Sequence, residues 1–263
     1  MLLCRNYGEN GEDAFDGTID FERFRIGLST RQPDTQLLLV DACRTPDLDA
    51  AATAALGESI PGRRLLKPMK LSLRDNSPAL QSVHFATSLY SQAWGRKNAP
   101  SLFSESLIAA LAGGGAEEAA RWWVTTTRLH AALVTYMARL SRELGIEQRP
   151  TADTVPFLIS KPGPITVPLY VTSSDPAIWS ETVKLRARRA DTYQQTFKHA
   201  PANPPVEVKE CAMKVVNPSQ EPDDVRYVVA ATFGKKSAFT NCKKKINVYP
   251  PEATCELPVS KRP

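Results

Sequence analysis

The chain has little of what most metal and redox chemistry requires. It holds only three histidines, at 84, 130 and 199, far apart in sequence, so no metal-site signature is present. Its five cysteines (Cys4, Cys43, Cys211, Cys242 and Cys255) are an odd number, and no two have C-x-x-C spacing. That excludes a zinc knuckle or a dithiol redox motif and points to reduced thiols. Long apolar runs are also lacking, since none approaches the ~20 residues that span a bilayer. The first four residues are too short and too uncharged at the flank for a signal peptide. A cytoplasmic protein without membrane partner, metal or cofactor is expected. The net charge of +5 is mild and permits weak association with nucleic acid, but it is the sole support for a nucleic-acid adaptor, since no basic stripe with interleaved aromatics is visible along the sequence, and such a partner is not expected.

What is present is an ordinary apolar fraction of 42% over 263 residues, enough for one large domain or a medium one plus a small one. Leu37, Leu38, Leu39 and Val40 form a short apolar run that suits a strand in the middle of a parallel sheet, buried on both faces. The run ends in Asp41-Ala42-Cys43-Arg44. A thiol at the carboxyl end of such a strand sits where open α/β sheets place their chemistry. Most free cysteines, however, are small buried hydrophobes.

Around this strand the pattern alternates. Thr18 or Asp20 can cap a short helix with Phe21, Phe24 and Leu28 on one face. Residues 46–78 read as a long irregular loop with one Ala-rich turn, and 83–87 as the next buried strand. Ser101 caps a helix carrying Phe103, Leu107 and Leu111, stopped by Gly113, Gly114 and Gly115. The longest helix is expected over 127–144, with Leu129, Leu133, Tyr136, Leu140 and Leu144 at helical spacing and Gly145 as its stop. Two further short strands are expected at 157–159 and 167–171. This order gives an α/β layered architecture.

From Asp175 the sequence reads as a basic amphipathic connector helix to Arg189, with Arg186, Arg188 and Arg189 on its solvated side, then a Pro-rich linker to 205. Residues 206–263 carry short alternating runs, as a small β-sandwich-like module does. The Lys235-Lys236 and Lys243–245 clusters read as charges that block aggregation at a strand edge.

The blocks Asp41-Ala42-Cys43-Arg44, Phe85-Ala86-Thr87-Ser88, Gln92-Ala93-Trp94, the helix at Ser101 and the Val124-Thr125 entry to the long helix, in this order, resemble caspase-like cysteine peptidases. Paracaspases and bacterial caspase-family proteins are the nearest branch. The resemblance covers about residues 1–171. It implies a caspase-like fold, a partial central sheet flanked by helices, over 1–172, then the connector over 173–205 and the β module over 206–263. It implies that the Cys43 thiolate attacks a peptide carbonyl of a protein or peptide substrate, with the Cys43 backbone N–H as an oxyanion donor.

The resemblance also gives Asp41 a role in binding an Arg or Lys side chain before the scissile bond, the alternative being that it only orders its own loop. Arg44 either opposes Asp41 in the substrate pocket or orders the loop. Gly95 stands where some paracaspases have a second acid. The family histidine would fall before Met1, and none of His84, His130 and His199 suits its place. The expectation is therefore a peptidase domain entered midway, inactive as this chain, or a pseudo-peptidase that binds protein partners. Neither a partner for the β module nor an oligomeric state follows from the sequence.

Overall fold

A computed structural model describes residues 2–3, 18–29, 33–44, 79–117, 122–160, 165–189, 194–200, 211–217 and 226–262. The expected loop at 46–78, the linker at 201–205 and the strand at 206–208 lie outside the described residues. The chain is a mixed α/β protein. It divides into two compact units, Met1–Glu105 with Met137–Phe157, and Ser106–Tyr136 with Leu158–Pro263. This division differs from the expected one: the stretch 106–136 and the strand expected at 167–171 belong to the second unit.

The first unit is built on strands β3 (Thr35–Val40) and β4 (Leu80–Phe85), which pair in parallel, and β7 (Thr151–Asp153), antiparallel to β4. A two-residue ribbon, β1 (Leu2–Leu3) on β2 (Thr18–Ile19), precedes helix α1 (Phe21–Ser29). Asp20 caps α1, accepting a bond from the Arg23 N–H at 3.0 Å. The small core gathers Phe21, Val40 and Val83, with Phe24, Leu38, Ala42 and Phe85 against it.

The sequence expectation that β3 is buried on both faces is corrected here. The strand order is β3-β4-β7, so among the described residues β3 is an edge and Leu39 is 41% exposed. The central strand is β4, where Ser82, Val83 and His84 are fully buried although two of the three are polar. Burial follows the number of neighbouring strands, which local hydropathy does not encode.

Helix α2 (Leu102–Ala109) continues into a π-helical turn, Ala110–Gly114, and stops where Gly113 takes φ +131°. Helix α3 (Thr126–Leu144) buries Leu129, Leu133 and Tyr136 as their spacing expects but leaves Leu144 exposed, and it ends at Gly145, φ +66°.

The second unit is mostly β. A three-stranded sheet joins β5 (Ala116–Glu117), β6 (Trp123–Thr125) and β8 (Leu158–Ser160) in that order. A second sheet has β9 (Ile165–Ser173) between β12 (Cys211–Asn217) and β15 (Ala253–Leu257). The third has four strands in the order β11 (Gln194–His199), β10 (Val183–Arg189), β13 (Arg226–Phe233) and β14 (Cys242–Asn247). Contacts of β15 with β13 and β14, and of β11 with β12, join the last two sheets.

The expected connector helix does not form. Asp175 does start a helical turn, its carboxylate accepting from the Ala177 N–H at 3.0 Å, but the turn is 3-10 and ends at Ser180. Strand β10 follows. Val183, Leu185 and Ala187 point inward and Lys184, Arg186 and Arg188 outward, a period of two that pairing on both sides with β11 and β13 satisfies. The β module therefore begins well before residue 206. Lys243, Lys244 and Lys245 lie on β14, which among the described residues is the last strand of its sheet, as an edge role requires. Lys235 and Lys236 lie instead in the turn after β13.

Candidate functional site around Cys43

Strand β3 delivers Asp41, Ala42, Cys43 and Arg44 at its carboxyl end, where the parallel ladder finishes with the Ala86 N–H donating to the Val40 carbonyl at 2.8 Å. Cys43 is exposed, so the reading of it as a buried hydrophobe is set aside. Its sulfur accepts from the Ala93 N–H at 3.2 Å and faces the Ala93 carbonyl at 3.7 Å. Among the described residues the Cys43 backbone N–H has no acceptor.

The loop opposite is fastened to the same segment by two backbone bonds. The Arg44 N–H donates to Ser91 at 3.0 Å, and the Tyr90 N–H donates to Arg44 at 2.9 Å. The Arg44 guanidinium lies over the Phe85 ring, 4.1 Å from its centroid, and donates to Thr151 Oγ1 at 3.1 Å. Burial lowers its pKa below the ordinary guanidinium value. Arg44 thus fastens the loop through its backbone, while its guanidinium packs on β4 and β7.

Asp41 is exposed at the start of α2. Its Oδ2 accepts from the hydroxyls of Ser104, at 2.9 Å, and Ser101. Ser101 is itself the cap of α2, accepting from the Ser104 N–H at 3.0 Å. The carboxylate is thereby fixed at the positive end of the helix dipole. Among the described residues its other oxygen, Oδ1, has no partner. Nothing in the geometry chooses between an ordering role and a substrate role for Asp41, because one oxygen serves each.

Gln148, which the sequence did not single out, organises this end of the unit. It is almost fully buried and donates from Nε2 to the Ala86 carbonyl at 3.0 Å. Its Oε1 accepts from the Trp94 N–H at 2.8 Å. One amide thus ties the end of β4 to the loop that meets Cys43. No periodicity or motif marks it, since it lies between the Gly145 stop and Pro150. Beside that loop is an open cleft of about 320 Å³ lined by Ser88, Ser91, Gln92, Trp94, Glu147 and Arg149. Arg149 and Glu147 pair across its rim at 3.2 Å, both well exposed.

The histidines are engaged elsewhere. His84 is fully buried in β4, its Nε2 sharing a bond with Ser82 Oγ at 3.2 Å. His130 is half-buried on α3, and desolvation lowers its pKa. His199 is buried against Trp179, with Nε2 2.9 Å from the Trp179 carbonyl. Gly95 leaves open space around its Cα, and no acid substitutes for it at that position. Among the described residues no cluster of three or more His, Cys, Asp or Glu side chains could hold a metal, and no helix is long and apolar enough to cross a membrane.

The class defined by fold and site is thus mixed α/β, with an exposed thiol at the end of a parallel strand. No family model, no curated protein and no solved structure matches this chain.

Proposed function

We propose that the chain presents the nucleophile half of a caspase-like cysteine endopeptidase site, with Cys43 as nucleophile. The observation that carries this reading is the exposed Cys43 thiol, with a backbone N–H that has no acceptor among the described residues, at the carboxyl end of a parallel strand pair. The thiolate adds to the carbonyl carbon of the scissile bond, forming the C–S bond, while the oxyanion takes the Cys43 N–H. The C–N bond then breaks, the amine leaves with a proton, and water hydrolyses the thioester to a carboxylic acid and the free thiol. The Oδ1 of Asp41, without a partner among the described residues, suits a charge-assisted bond to Arg or Lys, and the Arg44 backbone holds the loop.

The acid–base step needs a histidine that the Cys43 surroundings do not supply. Free imidazole can stand in for one. The experiment measures hydrolysis of Arg- and Lys-containing fluorogenic peptides with and without imidazole. Turnover above the imidazole background, lost in Cys43→Ala, is the expected result. Asp41→Ala should lower kcat/KM for Arg peptides by roughly 10-fold or more.

A second reading, a pseudo-peptidase that binds proteins without cutting them, is favoured by the thiol's hydrogen-bond contacts, which among the described residues are with the Ala93 backbone alone. Equal rates for wild type and Cys43→Ala in imidazole would select it.

A further inference from the structure

The register of the four-stranded sheet assembles a surface that is invisible in the sequence. Strand β10 presents Lys184, Arg186 and Arg188 on its solvent side, all exposed. Lys198 of β11 stands directly opposite Lys184. On the other flank, Arg186 pairs with Ala230 and Arg188 with Val228 of β13. Beyond them, Ala230 pairs with Lys243 and Val228 with Lys245 of β14, while Arg226 of β13 faces Asn247.

Directly opposed residues share a face, so three cations from β10, one from β11, one from β13 and two from β14 line one side of the sheet. All seven are exposed, and none forms an ion pair among the described residues. None of the four strands contains an Asp or Glu. Between the outer rows the β13 positions are small, Ala230 and Val228, so nothing bulky interrupts the field.

We propose that this sheet face binds the phosphate backbone of a nucleic-acid duplex. Cations two apart on one strand are separated by about 7 Å, and neighbouring strands by about 4.8 Å, a grid that engages several phosphates at once. The arginines add forked donors that match phosphate oxygens.

Charge alone suffices for duplex binding, through counterion release. A membrane needs a second, apolar signal for stable anchoring, and single-stranded nucleic acid needs aromatic platforms. Among the described residues the face offers neither: the aromatics Phe197, Tyr227 and Phe233 sit in register with Leu185, Arg189 and Val183, on the opposite side. The shared ligand chemistry is the duplex phosphodiester, so DNA and RNA duplexes of one sequence are separate arms of the test.

The test is fluorescence anisotropy of the full chain with labelled DNA and RNA duplexes of about two helical turns, from about 50 to about 200 mM salt. Wild type should bind at least one of them with a steep salt slope. Arg186→Gln with Arg188→Gln should weaken binding about tenfold or more and reduce the slope by about 2. A second pair on neighbouring strands, Lys184→Gln with Lys198→Gln, should show the same drop while urea midpoints confirm the fold. Lys235→Gln with Lys236→Gln, which removes equal charge from the turn after β13, should change affinity by less than about twofold.

Three results would overturn the proposal. One is the absence of salt-dependent binding to either duplex. Another is equal loss from the turn pair and the face pairs, which would reduce binding to net charge. The third is tighter binding to vesicles of phosphatidylcholine and phosphatidylserine than to either duplex.

Discussion

Cys43 and Cys255 show how position divides one side-chain chemistry into two. The first is exposed at the end of β3, while the second is fully buried in β15, where desolvation pushes its thiol up to about 11. Alkylation of the native protein followed by mass spectrometry should mark Cys43 early and Cys255 only after urea. Labelling of Cys255 at the rate of Cys43 would contradict the burial. The same shift couples Cys255 to stability. Its native pKa is raised above the ordinary value of 9.0, so the folded state holds its proton longer than the unfolded state. The contribution is complete below pH 9 and is lost as pH rises towards 11. Urea midpoints should therefore fall across that range, and fall less in Cys255→Ala. An unchanged pH profile in that variant would sink the assignment.

At the scale of elements, two joints are held by single residues. Gln148 links β4 to the loop beside Cys43 through two bonds, and its truncation leaves the Trp94 N–H and the buried Ala86 carbonyl without that partner. Gln148→Ala should cost about 1–3 kcal/mol in urea unfolding. Limited proteolysis should then cut faster within 88–100 than in wild type, and an unchanged cleavage pattern would deny Gln148 its role in holding the loop. Gly113 is the other joint. At φ +131° a side chain is strained, and an added Cβ would lie 2.7 Å from Ile165 Cγ2. Gly113→Ala should destabilise the protein by about 1–3 kcal/mol by denaturant titration. A variant as stable as wild type would mean the π turn does not need its glycine.

For the molecule as a whole, the cations of the four-stranded sheet, without an ion pair among the described residues, repel one another across a short distance. Salt screens that repulsion, with a Debye length of about 10 Å at 0.1 M. The urea midpoint should rise from low to moderate salt, and rise less when Arg186 and Arg188 are both changed to Gln. A midpoint that falls with salt to the same extent in both proteins would show that the cations are neutralised within the fold. This repulsion is the structural cost of keeping a binding face of one sign.

The sequence by itself determined the local elements whose signals are complete within a few residues. These include α1 with its Asp20 cap, α2 with its Ser101 cap, and α3 with its heptad-like stripe and Gly145 stop. It also determined that Asp41, Cys43 and Arg44 leave the end of a strand, because that run and the polar residues after it are contiguous. It did not determine which strand lies in the middle of the sheet. Apolar Leu39 is exposed on edge strand β3, whereas polar Ser82 and His84 are buried in β4, since neighbours are recruited from distant parts of the chain. Nor did it decide the 183–189 segment, where a charge pattern compatible with a helix became a strand once β11 and β13 offered pairing on both sides. Gln148 carried no signal, because its role exists only where a loop and a strand end meet. The basic face is the clearest case: its cations come from four strands, and only antiparallel register brings them to one side.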